Sequence, residues 1–250
     1  MARRRVLVEA CVDAIDAAME AEWGGADRIE LCGELLQGGV TPSAGLIEAT
    51  WDQVTVPLFV LIRPRSGDFL YTHDELDVME RDIRVARSLH ADGVVVGALT
   101  TDGEVDVAAM RGLLDVARPM KVTFHRAFDF TRDQDEALNA LLDLDVDRVL
   151  TSGGAVTALQ GAQTIARHVL RAGSDLTILA GGSITAASAA EVVRRTGVRE
   201  IHVRAAERVE SAMHHRRRDI LLGRPQQLGD YTRSVARQEL VREVVSSLGD

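Results

Sequence analysis

Two short stretches of the sequence carry the same pair of reactive side chains. Glu9 and Cys11 stand two apart in Val8-Glu9-Ala10-Cys11, and Glu30 and Cys32 stand two apart in Ile29-Glu30-Leu31-Cys32. Residues two apart on a β-strand share a face, so each Glu-x-Cys presents a carboxylate and a thiol on one side. Neighbouring strands lie about 4.8 Å apart. If these two are neighbours in aligned register, the thiols come within reach of each other and the carboxylates form a layer beneath. Two thiolates without an evident third and fourth ligand suit a soft ion of low coordination number. Cu(I) fits best, because thiolate selects Cu(I), zinc and iron–sulfur centres, whereas a structural zinc site takes four protein ligands. Cys11 and Cys32 match no C-x-x-C spacing, and a free cysteine also serves as a small buried hydrophobe. Spacing alone leaves both readings open.

Other chemistry-bearing residues fall at the ends of apolar runs. Arg63 and Arg65 follow Leu58–Ile62, His125 and Arg126 follow Val122–Phe124 with Asp129 just beyond, and His202 and Arg204 lie in and after Glu200–Val203. Glu9, Glu30, Arg63, His125 and His202 form the candidate catalytic set. One reading is a pocket for a polar or anionic small molecule, with a carboxylate or histidine as general base and Arg63 holding negative charge. That would suit a lyase or isomerase acting on a small polar metabolite, phosphorylated or sugar-like. The other reading is a lattice of arginines and glutamates that only neutralises a buried layer. Two glycine turns, Thr151-Ser152-Gly153-Gly154 and Ala180-Gly181-Gly182-Ser183, could bring backbone amides to an oxyanion, the second leading straight into a helix. Gly153, Gly154, Gly181 and Gly182 are therefore a candidate anion site, with plain turn formation as the alternative. His73, His90 and His168 read as surface residues.

Some chemistries are disfavoured. A Schiff-base enzyme needs a lysine at the site, and Lys121, the sole lysine, opens a strand at the opposite end from the other candidates. No H-E-x-x-H or related zinc motif and no G-x-S-x-G elbow occurs.

Eight strand–helix units account for the positions of these residues. Strands are expected at Val6–Cys11, Asp27–Leu31, Leu58–Ile62, Gly93–Gly97, Val122–His125, Arg148–Thr151, Thr177–Ala180 and Glu200–Val203. Helices are expected at Asp13–Trp23, Ala44–Gln53, Asp74–His90, Val107–Arg118, Asp133–Leu144, Ala158–Arg171 and Ala186–Thr196. Asp13, Ser43, Thr72, Asp133, Thr157 and Thr185 stand where N-caps belong. Apolar runs such as Val94–Val96 suit strands buried on both faces. Eight such units with short turns predict an α/β fold, a (β/α)8 TIM barrel over 1–205, followed by a C-terminal extension over 206–250 packed on it as part of a single domain. In such a barrel, function gathers at the C-terminal ends of the strands. Closure would set the eighth strand beside the first, so His202 could join the cysteines. In the extension, Ala212-Met213-His214-His215-Arg216-Arg217-Arg218 reads as a basic loop, either packed outside the barrel or closing over an anionic ligand, and Tyr231–Leu248 as a terminal helix.

A net charge of −9 and 4% aromatic residues argue against nucleic-acid binding. No apolar run approaches the roughly 20 residues of a membrane span. Arg3-Arg4-Arg5 leads into a run too short and too soon charged for a signal peptide. A cytoplasmic location is expected, with the cysteines as thiols, and base rates favour a homodimer or higher homo-oligomer.

The segments VEACVDAIDAAMEAEWGGADRIELCGELLQGGVTPSAGLI, LIRPRSGDFLYTHDEL, DGVVVGALTTDGEVD, VTFHRAFD, DRVLTSGG and SAMHHRRRDILLG resemble the CutC copper-homeostasis family along nearly the whole chain. The resemblance implies a TIM barrel, a cytoplasmic protein and a part in copper homeostasis. It also implies Cu(I) binding by two cysteines, which fall on Cys11 and Cys32. It attaches no reaction to the chain. Two places depart from the family pattern: Ala180-Gly181-Gly182-Ser183 stands where Pro-Gly-Gly-Gly is usual, and Arg204-Ala205 follows where small residues are usual after the histidine.

Overall fold

The computed structural model describes residues 6–217, 219–220 and 230–249. Eight parallel strands pair in sequence order: β1 (Leu7–Val12), β2 (Arg28–Leu31), β3 (Leu58–Leu61), β4 (Gly93–Val96), β5 (Lys121–Phe124), β6 (Arg148–Thr151), β7 (Thr177–Ala180) and β8 (Glu200–Val203), and β8 closes on β1. Between them run α1 (Ile15–Trp23), α2 (Ala44–Trp51), α3 (His73–Ser88), α4 (Val107–Ala117), α5 (Gln134–Asp143), α6 (Ala162–Ala172) and α7 (Ala186–Thr196). This is the expected (β/α)8 barrel.

Strand alternation builds two separate cores. Val60, Ile62, Val94 and Val96 point outward and merge with Met79 and Ile83 of α3 and Met110 and Leu113 of α4. Phe59, Leu61 and Val95 point inward and pack with Cys11 and Cys32 in a smaller cluster inside the ring. Strands covered on both sides need apolar residues at consecutive positions, as the sequence has them.

Caps fix most helix starts. Ser43 Oγ accepts the Leu46 amide at 3.2 Å, Thr72 and Glu75 form a reciprocal capping box, and Asp133 accepts the amides of Asp135 and Glu136. Asp106, which the sequence reading passed over, caps α4 by accepting from Ala109 at 2.9 Å. Two expected caps differ. The helix after Asp13 starts at Ile15, with Ala14 in the cap position. Thr157 precedes α6 by a turn, because Gly161 is pressed against β6: a Cβ there would lie 1.9 Å from the Ser152 carbonyl oxygen.

Two further expectations are corrected. Tyr231–Leu248 is not one helix. Its first part is β10 (Thr232–Ala236), antiparallel to β9 (Ala206–Glu210), and only Gln238–Ser247 is helical, as α8. The alternation in Thr232-Arg233-Ser234-Val235 serves a strand, which buries Val235. Helix α8 buries Val241 and Val244 against α1 and α7, and Gly24 leaves room for Val241 at the end of α1. His168 is fully buried rather than on the surface. It shares the inner face of α6 with Ala162, Ile165 and Ala172, and its ring meets Phe128 edge-on. Of the basic loop, Arg216 pairs with Glu210 and Arg217 with Asp219, while Arg218 lies outside the described residues. No helix among the described residues is long and apolar enough to cross a membrane.

Candidate functional site

Barrel closure assembles one cluster from β8, β1 and β2. In register, Glu9 stands beside His202 on one side and Arg28 on the other, and Cys11 stands beside Glu30. Cys32 lies past the last paired residue of β2, its amide donating to the Val12 carbonyl. The thiols are therefore not register partners. Strand tilt nevertheless brings their sulfurs to 3.7 Å. That is far longer than a disulfide of about 2.05 Å, and both cysteines are free and buried. The carboxylates do not simply form a layer beneath. His202 Nδ1 lies 2.7 Å from Glu9 Oε1 and 3.2 Å from Glu30 Oε2, joining the two.

The charges are ordered by what each group touches. Burial raises the pKa of Glu9, but the adjoining Arg28 guanidinium and His202 overcome this and hold it at about 2. Burial opposes a charged His202, yet Glu30, Cys11 and Glu9 around it keep its pKa well above 6.5. The hydrogen bond from Cys32 is the main cause that brings Cys11 down to about 6, against burial and with help from His202. The same contact, together with burial, leaves Cys32 well above 9. Burial and the Cys11 thiolate push Glu30 up to about 8. The contacts thus favour negative charge on Glu9 and Cys11 and positive charge on His202, and keep protons on Cys32 and Glu30. One valence is open. Glu30 Oε1 accepts from Cys32 at 3.7 Å, but the geometry at Oε2 gives it no hydrogen-bond partner despite its nearness to His202.

Beneath lies a second charged layer that sequence reasoning missed. Arg28 donates to Glu9 through Nε and to Glu200 through Nη2 at 2.6 Å, and Arg148 donates to Glu200 through Nε at 2.6 Å. Both guanidiniums lie over the Phe59 ring. The signal was present: Arg28 is two before Glu30, and so on the same face.

The remaining candidates lie elsewhere around the mouth. Arg63 does not reach the thiols. Its Nη1 donates to the carbonyls of Gly39 at 2.7 Å and Gln37 at 3.3 Å, and its Nη2 donates to Gly67 at 2.7 Å. It thereby holds the loop after β2, which lays Leu35 against the cysteines. Gly39 is required there: its φ is +84°, and a Cβ would meet Leu61 at 2.7 Å. His125 is buried against Phe69. Its Nδ1 accepts from the Ala127 amide, and burial, with Arg63 nearby, lowers its pKa to about 3, so it is neutral.

The glycine turns are largely occupied by the protein itself. The Gly153 amide donates to Thr151 Oγ1 at 2.8 Å, the Gly154 amide to Asp129 Oδ1 at 3.0 Å, and the Gly181 amide to the Thr151 carbonyl at 2.9 Å. Asp129 also accepts from Thr151, Ser152 and Arg126. The β6 turn therefore already cradles a carboxylate. Gly182 alone of the four lines the open cavity above Cys11 and His202.

This geometry can be set beside known proteins. The sequence profile of the CutC family matches residues 6–207. The chain belongs to the CutC family. Among its relatives is the human copper homeostasis protein cutC homolog, 42% identical over 236 residues, covering 94% of this chain and 86% of the human one. A CutC family protein of Mesorhizobium japonicum is 42% identical over 244 residues, covering 98% and 95%. A solved structure of a Streptococcus agalactiae protein that carries the name CutC superimposes with a TM-score of 0.75 at 31% identity, covering 79% of this chain and 97% of the other. The human relative is named a copper homeostasis protein, and in this chain Cys11 and Cys32 lie close enough together, with Glu30, to hold a metal ion.

Proposed function

We propose that this chain is a cytoplasmic copper-homeostasis protein that binds one Cu(I) between Cys11 and Cys32 at the barrel mouth. The observation that carries this reading is the 3.7 Å separation of two buried sulfurs from adjacent strands. The donor set fits the ion. Thiolates are soft ligands, and Cys11 is already shifted toward thiolate by its contact with Cys32. The imidazolium of His202 and the guanidinium of Arg28 offset the negative charge that a second thiolate would add. The carboxylate of Glu30 adjoins the pair, but as a hard oxygen donor it is a weak competitor for a soft ion. The copper-homeostasis name of the human relative points the same way. Anaerobic Cu(I) titration against a competing chelator tests the reading. The parent should take up one equivalent, and the Cys11→Ala/Cys32→Ala variant should bind at least about a hundredfold more weakly, as expected for loss of both soft ligands. Equal affinity of the two proteins would overturn it.

A second reading has its own support. Glu9 and Glu30 are buried against His202, which itself lines a cavity of about 830 Å³, and such an acid–base set is what a barrel lyase or isomerase would use on a small polar metabolite. In this reading Arg63 and His125 are positioning residues, since neither lines that cavity. Exchange of substrate carbon-bound hydrogen with deuterated solvent, abolished by Glu30→Gln, would establish it. Its absence across sugar and sugar-phosphate candidates would refute it.

A further inference from the structure

The cavity above the thiol pair is larger than a metal ion needs. Its floor is Cys11 and His202. Its walls come from Arg126 after β5, Arg204 after β8, the first turn of α7 at Ala186, and α8 at Glu243. Cavities of this size, about 300–1,000 Å³, take small molecules.

The two guanidiniums differ in a telling way. Arg126 is held on one edge, donating to Asp129 Oδ2 at 2.7 Å and Ser152 Oγ at 2.9 Å, and its side chain is 41% exposed. Arg204 has no carboxylate partner among the described residues, and its Nη2 is buried without an acceptor. A buried charged donor left unpaired is costly, and an acceptor entering the cavity removes that cost. Other charges around the cavity favour an anion. The start of α7 in the cavity wall adds the positive end of a helix dipole. Glu243 is the opposing carboxylate, on the α8 wall. A fork of guanidinium donors beside a helix start matches the oxygens of a phosphate group.

We propose that this cavity binds a small organic phosphate, with the phosphate held between Arg204 and Arg126 at the start of α7 and the polar body of the molecule reaching toward Cys11 and His202. The assignment does not rest on copper as cargo or on any reaction. It concerns a ligand subsite that could serve either.

Calorimetric titration of the full chain with ribose 5-phosphate, at fixed ionic strength, is the test. Inorganic phosphate and ribose serve as the two halves of the probe. Saturable binding of one ribose 5-phosphate per chain is expected, tighter than inorganic phosphate, with no binding of ribose. Arg204→Gln should weaken it at least about tenfold, the effect of losing a charge-assisted hydrogen bond. Arg204→Lys, which keeps the charge and loses the fork, should fall between. Cu(I) competition in the same variants should stay at the parent value, so that failure here is separable from failure of the copper reading. No saturable binding by the parent, equal binding by Arg204→Gln, or inorganic phosphate binding as tightly as the monoester would overturn the proposal.

Discussion

Two sides of the barrel mouth use similar side chains to opposite ends. Around β5 and β6, Asp129 collects the amides of Ser152 and Gly154, the hydroxyls of Thr151 and Ser152, and the Arg126 guanidinium. Those contacts close the β6 turn on itself, leaving the outer edge of Arg126 toward the cavity and His125 Nε2 buried without a partner. Around β8, β1 and β2, charges are balanced but donors and acceptors are left over: a thiol pair without a bridge, Glu30 Oε2 without a donor, and Arg204 Nη2 without an acceptor. Saturated polar groups hold a loop in place. Unsaturated ones, kept in position by saturated neighbours such as Arg28, are what a ligand can use. Charge alone would have marked both sides as sites; the saturated contacts of Asp129 separate the β6 turn from the thiol cluster.

Glu9→Gln leaves Arg28 and His202 without their shared carboxylate in a buried setting, and should cost about 3–5 kcal/mol in chemical denaturation. Asp129→Ala should also destabilise, by about 2–4 kcal/mol, because it strands several buried donors at once, yet its Cu(I) affinity should match the parent in chelator competition. If Asp129→Ala abolished copper binding, the two sides would not be separate. Arg63→Met should cost about 1–3 kcal/mol by unpairing the Gly39 and Gly67 carbonyls, and should raise the rate at which alkylating reagents reach Cys11.

pH sharpens the picture further. The folded-state pKa of Glu30 is raised, so the folded chain holds its proton between about pH 4.5 and 8, where the unfolded chain has lost it. Its contribution to stability is therefore full below 4.5 and is lost as pH rises through 8. Relative to the parent, Glu30→Gln should gain stability steadily across that window and show no further gain above it. A constant difference at every pH would mean that Glu30 is not protonated in the fold. The smallest effect is at the bottom of the scale of the fold itself: Thr72→Ala, far from the mouth, should lower stability by about 1 kcal/mol through its lost cap and leave copper binding untouched.

How much of this was legible follows from the range of each interaction. The eight strands were readable because two-sided burial imposes apolar runs, and Glu-x-Cys placed carboxylates and thiols on one face through period-two alternation. Cys11 and Cys32 are juxtaposed by tilt and not by register, so sequence could name the pair but not its 3.7 Å geometry. Arg28 was readable by the same alternation and was passed over because it opens its strand. The β9–β10 hairpin was hidden because Tyr231–Leu248 mixes polar and apolar residues in a way that suits either period, and the partner strand decides. Asp129 filling the β6 turn was not legible at all: it depends on two loops meeting in space, and from sequence Gly153 and Gly154 look as free for a ligand as Gly182.

The most direct test of the central claim is X-ray absorption at the copper edge on the full chain loaded with one equivalent of Cu(I) under anaerobic conditions. Two sulfur neighbours per copper, falling to one in Cys32→Ser, are predicted. A coordination shell made of nitrogen and oxygen, or a sulfur count unchanged by that substitution, would contradict the account.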